Sequence, residues 1–187
     1  MENLETYKLK GYLLVECKDK FGNVIDKYEN HNLIMDAARI SMAQMTAGLS
    51  NSSEINKFVL GTEGHIGGDY LNPKTDVDGF VGTRTKLFSE QSGTYNYPIV
   101  FDTPGTATGS CTIVSEPDAD STVSIVYADK SVEYTIEVFE DSANNTGVAV
   151  FTEAALYAGA NIFSMKCFPG KIKDNTVSLK IVWKILF

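Results

Sequence analysis

Thr176-Val177-Ser178-Leu179-Lys180-Ile181-Val182-Trp183-Lys184-Ile185-Leu186-Phe187 is the stretch that decides the fold. Val177, Leu179, Ile181, Trp183, Ile185 and Phe187 fall on every second position. Ser178, Lys180 and Lys184 sit between them, with Val182 and Leu186 on that second side. Successive side chains of a strand point to opposite faces. This period therefore gathers the only Trp and five apolar partners on one face. So apolar a strand frays or aggregates unless it is paired inside a sheet. It reads as a closing core strand, with Leu179, Ile181, Trp183 and Ile185 as core anchors.

Working outward, the same alternation recurs. Ser131 to Phe139 sets Val132, Tyr134, Ile136 and Val138 against Glu133, Thr135 and Glu137. Lys8 to Asp19 and Val24 to Glu29 flank Phe21-Gly22-Asn23, where Gly22 and Asn23 tolerate positive φ, and read as a β-hairpin. Further strands are expected at Ile55–Leu60, Thr83–Glu90, Tyr95–Phe101, Ser110–Ser115, Thr122–Tyr127, within Val148–Tyr157 and at Ile162–Phe168. Pro98 points to an edge position for its strand. Pro169-Gly170 is expected to turn into the closing strand. Asn32 is expected to cap a helix over Leu33–Ala47 that ends at Gly48, with Ile34, Ala38, Met42 and Met45 on one stripe. Gly61 to Gly82, rich in glycine and acids, reads as a long contact loop. The expected fold is mainly β: an antiparallel β-sandwich, jelly-roll-like or barrel-like, with one amphipathic α-helix near the N-terminus. The whole span 1–187 is expected to form a single domain with a loop excursion at about 61–82.

Composition supports a core: 43% of the 187 residues are hydrophobic and 11% aromatic,. The net charge of −8 argues against a nucleic-acid surface, which needs clustered Lys and Arg,. The first residues are acidic with no apolar signal core, and no apolar run is long enough to span a bilayer. The expectation is synthesis in a cytoplasm, without a cleaved signal or a membrane span. Cys17, Cys111 and Cys167 are odd in number and far apart, and read as reduced buried thiols. The sequons Asn51-Ser52-Ser53 and Asn144-Asn145-Thr146 read as chance.

The search for chemistry gives little. Gly61-Thr62-Glu63-Gly64-His65-Ile66-Gly67 superficially matches a phosphate-binding loop, but Gly68-Asp69-Tyr70-Leu71-Asn72-Pro73 follows where a helix is needed, and the P-loop Lys and Ser/Thr are missing. Asp76-Val77-Asp78-Gly79 starts like a calcium loop, but its twelfth position is Leu87 and not a bidentate Glu. Asp69, Asp76 and Asp78 read as solvated loop acids. His31 and His65 lie in no zinc or hydrolase motif. No catalytic, cofactor-binding or metal residues are expected, and the chain does not read as an enzyme. Tyr70, Phe80, Tyr95 and Tyr97 lie in or beside loops and are the candidates for a protein interface.

Four ordered stretches resemble tailed-bacteriophage virion proteins. The first is the hairpin leading into Asn32-Leu33-Ile34 and a helix. The second is Phe58-Val59-Leu60-Gly61-Thr62. The third, Phe151-Thr152-Glu153-Ala154-Ala155-Leu156-Tyr157, is similar to a "T-E-A-G-L-F/Y" signature, departing from it at Ala155. The fourth runs from Ile162-Phe163-Ser164-Met165 through Phe168-Pro169 and Lys173 to Leu179–Ile185, and is similar to the usual ending of such proteins. The resemblance covers roughly the first 60 residues and the last 40. It implies a structural subunit of a virion: tail, baseplate, fibre, collar or capsid decoration. Its partners would be further copies of itself and other virion proteins, with neither nucleic acid nor cofactor bound directly. The alternative is a receptor- or glycan-binding module of a phage appendage, with Tyr95 and Tyr97 beside the Gly61–Gly82 loop as a sugar platform.

Overall fold

A computed structural model describes residues 9–49, 54–75, 82–101, 111–114, 121–128 and 130–187. The chain runs β1 (Lys10–Asp19), β2 (Val24–Ile34), α1 (Asp36–Thr46), β3 (Ile55–Gly61), β4 (His65–Ile66), β5 (Asp69–Pro73), α2 (Phe88–Ser92), β6 (Asn96–Val100), β7 (Cys111–Val114), β8 (Ser121–Ala128), β9 (Ser131–Val138), a 3₁₀ turn (Asn145–Gly147), β10 (Ala149–Ala158), β11 (Asn161–Lys173) and β12 (Val177–Leu186). Ten strands form one antiparallel sheet in the order β6-β3-β10-β11-β2-β1-β12-β9-β8-β7, and β4 pairs with β5 in a small ribbon.

The closing strand sits inside this sheet, between β1 and β9. Its register aligns apolar residues in rows across the strands. Val15, Ile181, Ile136 and Val123 make one row; Leu13, Trp183, Tyr134 and Ile125 make the next. All eight are buried. Between β2 and β11 the pairing narrows to Leu33–Met165 and Ile34–Ser164, and the sheet folds over there. Phe58 of β3 then meets Trp183 edge-on at 6.2 Å, and Phe101, just past β6, lies 6.1 Å from Tyr134. The two halves thus enclose one core, and the sheet is nearly closed into a barrel. Two separate sandwich sheets are not formed, because β2 pairs on both sides and keeps the sheet continuous.

One half carries a second layer. Register shifts in β10, between Phe151 and Glu153 and between Leu156 and Tyr157, reset the alternation,. Val59, Ala155, Tyr157, Ile162, Met165 and Cys167 form a separate buried cluster with Met35 and Leu87. Ala155 is an ordinary strand residue there, paired with Met165 and Val59.

Several expectations need correcting. Asn32 caps no helix: it lies in β2, paired with Gly11, because the strand runs on to Ile34 to reach β11. The helix begins at Asp36 after Met35 in extended geometry. Its only buried residue is Ala38, while Ile40 and Met45 are exposed, so it lacks the buried apolar face of the expected amphipathic helix. A second helix, α2, replaces the strand expected at Thr83–Glu90. Pro169-Gly170 does not turn the chain. β11 continues through it, and the missing Pro169 N–H falls where the β10–β11 register shifts,. The turn comes at Asp174, whose carboxylate accepts from Thr176 N and Oγ1, both at 2.7 Å. Gly61–Gly82 is not simply a loop: β4 and β5 lie in it and pack on β11. Phe187 is half exposed and outside the core. Pro98 sits in the end strand β6 as expected.

Candidate functional site

The most elaborate polar site lies on the outer side of β10. Glu153 is fully buried, and its two carboxylate oxygens accept from Phe88 N at 2.9 Å and Ser89 N at 2.7 Å, the first amides of α2. Burial holds its pKa above the ordinary carboxylate value, against the pull of those amides,. Glu90 accepts from Leu87 N at 3.0 Å and from the Tyr157 hydroxyl. Burial first, then Glu90, pushes the Tyr157 phenol well above its usual range. The Phe88 ring is flanked by the Lys74 ammonium at 4.0 Å and the Arg84 guanidinium at 3.6 Å. Residues 82–93 are thus a strap fixed across the sheet. Glu153 of the sheet accepts from strap amides and Glu90 of the strap accepts from Tyr157 of the sheet, so the two carboxylates tie the segment down from both sides.

The glycines that superficially matched a phosphate loop have a packing role. A Cβ at Gly64 would overlap the Thr152 carbonyl, and one at Gly61 would overlap Ser89 and Glu153. Gly64 N donates to Thr152 Oγ1 at 2.8 Å, so this amide faces β10. His65 is buried, with its Nδ1 3.0 Å from Thr62 O and its ring 4.7 Å from that of Tyr70. His31 lies in β2, its Nδ1 3.3 Å from Gly11 O. Asp69 accepts from Leu71 N; Asp76 and Asp78 lie outside the described residues. No group of three or more His, Cys, Asp or Glu among the described residues is placed to hold a metal ion.

A second buried polar site joins β11 to the loop before β10. The Lys173 ammonium donates to Glu140 O and Asn144 Oδ1 at 2.7 Å and to Asp174 O at 2.8 Å. Burial pulls its pKa down to about 8. Lys171, also buried, pairs with Asp26 at 2.7 Å. Cys17 and Cys167 are free and buried; Cys111 is in β7.

Two exposed features remain at opposite ends of β2. At one end is the β1–β2 turn, tightened by the Asp19 carboxylate accepting from Phe21 N and Asn23 N at 2.9 Å. Phe21, Val24 and Ile25 protrude from it, 78%, 49% and 58% exposed. At the other end is α1. A cavity of about 360 Å³ opens between this helix and the β10–β11 turn, lined by Ala37, Ile40, Ser41, Gln44, Ile162 and Phe163 among others, with no charged side chain among the described residues.

The four aromatic candidates do not come together. Tyr70 is 46% exposed on β5. Tyr95 and Tyr97 lie partly buried against the core, with Tyr95 6.0 Å from Phe151. Phe80 lies outside the described residues. The anchors Leu179, Ile181, Trp183 and Ile185 are buried in the interior. Sequence reasoning assigned no role to Glu153, Lys171 or Lys173, although Glu153 and Lys173 stand in the stretches that resemble virion proteins. A further signal for Glu153 was an acid inside the apolar run Val148–Tyr157.

Searches of family models, curated proteins and solved structures return no match to this chain. Among the described residues no helix is long and apolar enough to cross a membrane.

Proposed function

We propose that this protein is a structural component of a tailed-phage particle, a tail, baseplate, collar or capsid-decoration subunit. It works through contacts with copies of itself and with other virion proteins. The observation that carries the reading is the β1–β2 tip. An acidic chain exposes three large apolar side chains within five residues, Phe21, Val24 and Ile25, at a turn braced by the Asp19 carboxylate. Exposed clusters of this kind mark contact surfaces. The motif order from the hairpin to the closing strand supports the phage assignment. The glycan-binding alternative leaned on Tyr95 and Tyr97, whose rings are turned toward the core.

The test is a labelled copy of the protein traced in purified particles by electron microscopy, with its solution mass measured alongside. The expected result is a fixed, repeated position in the particle. A protein that stays out of particles and is monomeric in solution refutes the proposal.

A further inference from the structure

We infer that the β1–β2 tip of one copy seats in the α1 cavity of the next, so that copies join head to tail. The inference rests on the assembly reading above and names its contact.

The geometry comes from β2. The tip takes in the start of β2 at Val24 and α1 follows the end of β2 at Ile34, so the two features are separated by about the length of that strand, roughly 33 Å at 3.3 Å per residue,. A knob and a socket at opposite ends of one rigid element cannot meet within one copy. Between copies they give a heterologous contact, which generates rings when the rotation closes and filaments when it does not.

The chemistry fits this occupant. Each copy carries a net charge of −8, so two copies repel except where charge is absent or opposite,. Phe21 to Ile25 contain no ionisable residue, and neither does the cavity lining among the described residues. Lys20, whose ammonium lies 5.2 Å from the Phe21 ring, brings a positive charge toward an acidic neighbour. The socket is walled by small and apolar groups, Ala37, Ala38, Ala158, Ile162 and Phe163, and its volume admits an aromatic ring. Ile40, 59% exposed on its rim, is the residue an incoming ring would cover.

Area sets the strength. Phe21, Val24 and Ile25 offer on the order of 300 Å² of exposed apolar surface, against about 800 Å² per partner in a stable interface. One such contact is weak but measurable at high protein concentration, and it is reinforced when each copy is gripped at both ends, as in a ring.

The test is sedimentation of the full chain over a concentration series, using Phe21→Glu, Ile40→Glu and their equimolar mixture. Both residues are exposed, so the variants should melt like the parent. Val24→Lys and Gln44→Trp repeat each half of the test should one of them not fold. The parent should grow past dimer with concentration. Each variant alone should stay monomeric, its association weakened by about tenfold or more. The mixture should stop at a heterodimer, because one variant keeps the socket and the other keeps the tip. Unchanged assembly of Phe21→Glu, or a mixture that stays monomeric, overturns the inference. A parent that enters particles yet is monomeric at its highest soluble concentration also overturns it, leaving the assembly reading in place with another virion protein at the tip. A parent that is monomeric and absent from particles removes both.

Discussion

Trp183 lies where the two halves of the folded sheet meet, and its removal measures what holds them together. The ring is fully buried in the row Leu13, Trp183, Tyr134 and Ile125, and its face is closed by Phe58 from the opposite half. Truncating a large buried aromatic costs about 3–5 kcal/mol through lost transfer energy and the cavity left behind. Trp183→Ala should therefore remove a large part of the roughly 5–15 kcal/mol that stabilises a domain. The polar edge of the ring can be assessed separately. Trp183 Nε1 donates to Ser164 Oγ at 3.3 Å, and Ser164 Oγ donates to Leu33 O at 2.9 Å, so one hydroxyl links β12, β11 and β2. Ser164→Ala leaves the indole N–H buried without an acceptor and should cost about 1–3 kcal/mol. In a Trp183→Phe background that donor is already gone. The same Ser164→Ala change should then cost about 1 kcal/mol less. Urea unfolding followed by far-ultraviolet circular dichroism gives all four corners of the cycle without relying on tryptophan fluorescence. A Trp183→Ala cost below about 1 kcal/mol would refute the enclosed core. Strict additivity of the two changes would refute the bridge.

Lys173 titrates between about 8 in the fold and 10.5 when unfolded, so across that window the unfolded chain holds the extra proton and stability rises with pH,. Lys173→Met should flatten this rise in urea midpoints taken from pH 7.5 to 10, and an unaltered slope would count against the buried ammonium. Glu153 has the opposite sign. Its folded pKa is raised, so its stabilising contribution is complete below the unfolded value of 4.5 and is lost as pH climbs through the folded value,. Hydrogen-exchange protection at the Phe88 and Ser89 amides, taken relative to base-catalysed intrinsic exchange, should fall over that climb in the parent and stay level in Glu153→Gln; identical protection profiles would remove the latch. A Cβ at Gly11 would overlap the Asn32 side chain, whose Oδ1 and Nδ2 are buried without partners. Gly11→Ala should be destabilising alone but close to neutral in an Asn32→Ala background, and thermal melts showing equal penalties would contradict that packing.

Period-two alternation made β12, β9 and β1 legible, because a half-buried strand writes its two faces into successive residues. What escaped was decided by distant partners. Asn32-Leu33-Ile34 looks locally like a cap and first turn, but pairing of Asn32 with Gly11 and of Leu33 and Ile34 with Met165 and Ser164, 130 or more positions away, holds it extended. Phe88–Ser92 has the apolar start of a strand, but the Glu153 carboxylate collects its first amides and favours a helical turn. Pro169-Gly170 has turn chemistry, but the bulge opposite β10 absorbs both residues without reversing the chain. Tyr95 and Tyr97 sit beside a loop in sequence, which says nothing of the side to which their rings turn. Buried Lys171 and Lys173 lie in a run that also carries Lys166, and no local pattern marks which lysine will find acceptors. The knob at Phe21 was visible only as a turn, since exposure depends on the rest of the sheet leaving it uncovered.

The outer face of the single-layered half explains why that turn matters. Lys27, Glu16, Lys180 and Glu137 stand opposite one another across β2, β1, β12 and β9, and Lys184 faces Glu133 in a parallel row. Charges alternate in sign along each row, so they support one another across strands. A second copy stacking on this face would have to desolvate all of them, which costs more than their mutual attraction returns. The other half already has its outer face covered by the strap and the β4–β5 ribbon. The association proposed above is therefore directed away from the faces of the sheet and toward its ends. Of the end features the structure describes, the Phe21–Ile25 stretch, flanked by Asp19, Lys20 and Asp26, and the cavity beside α1 are the pair whose own described residues carry no charge.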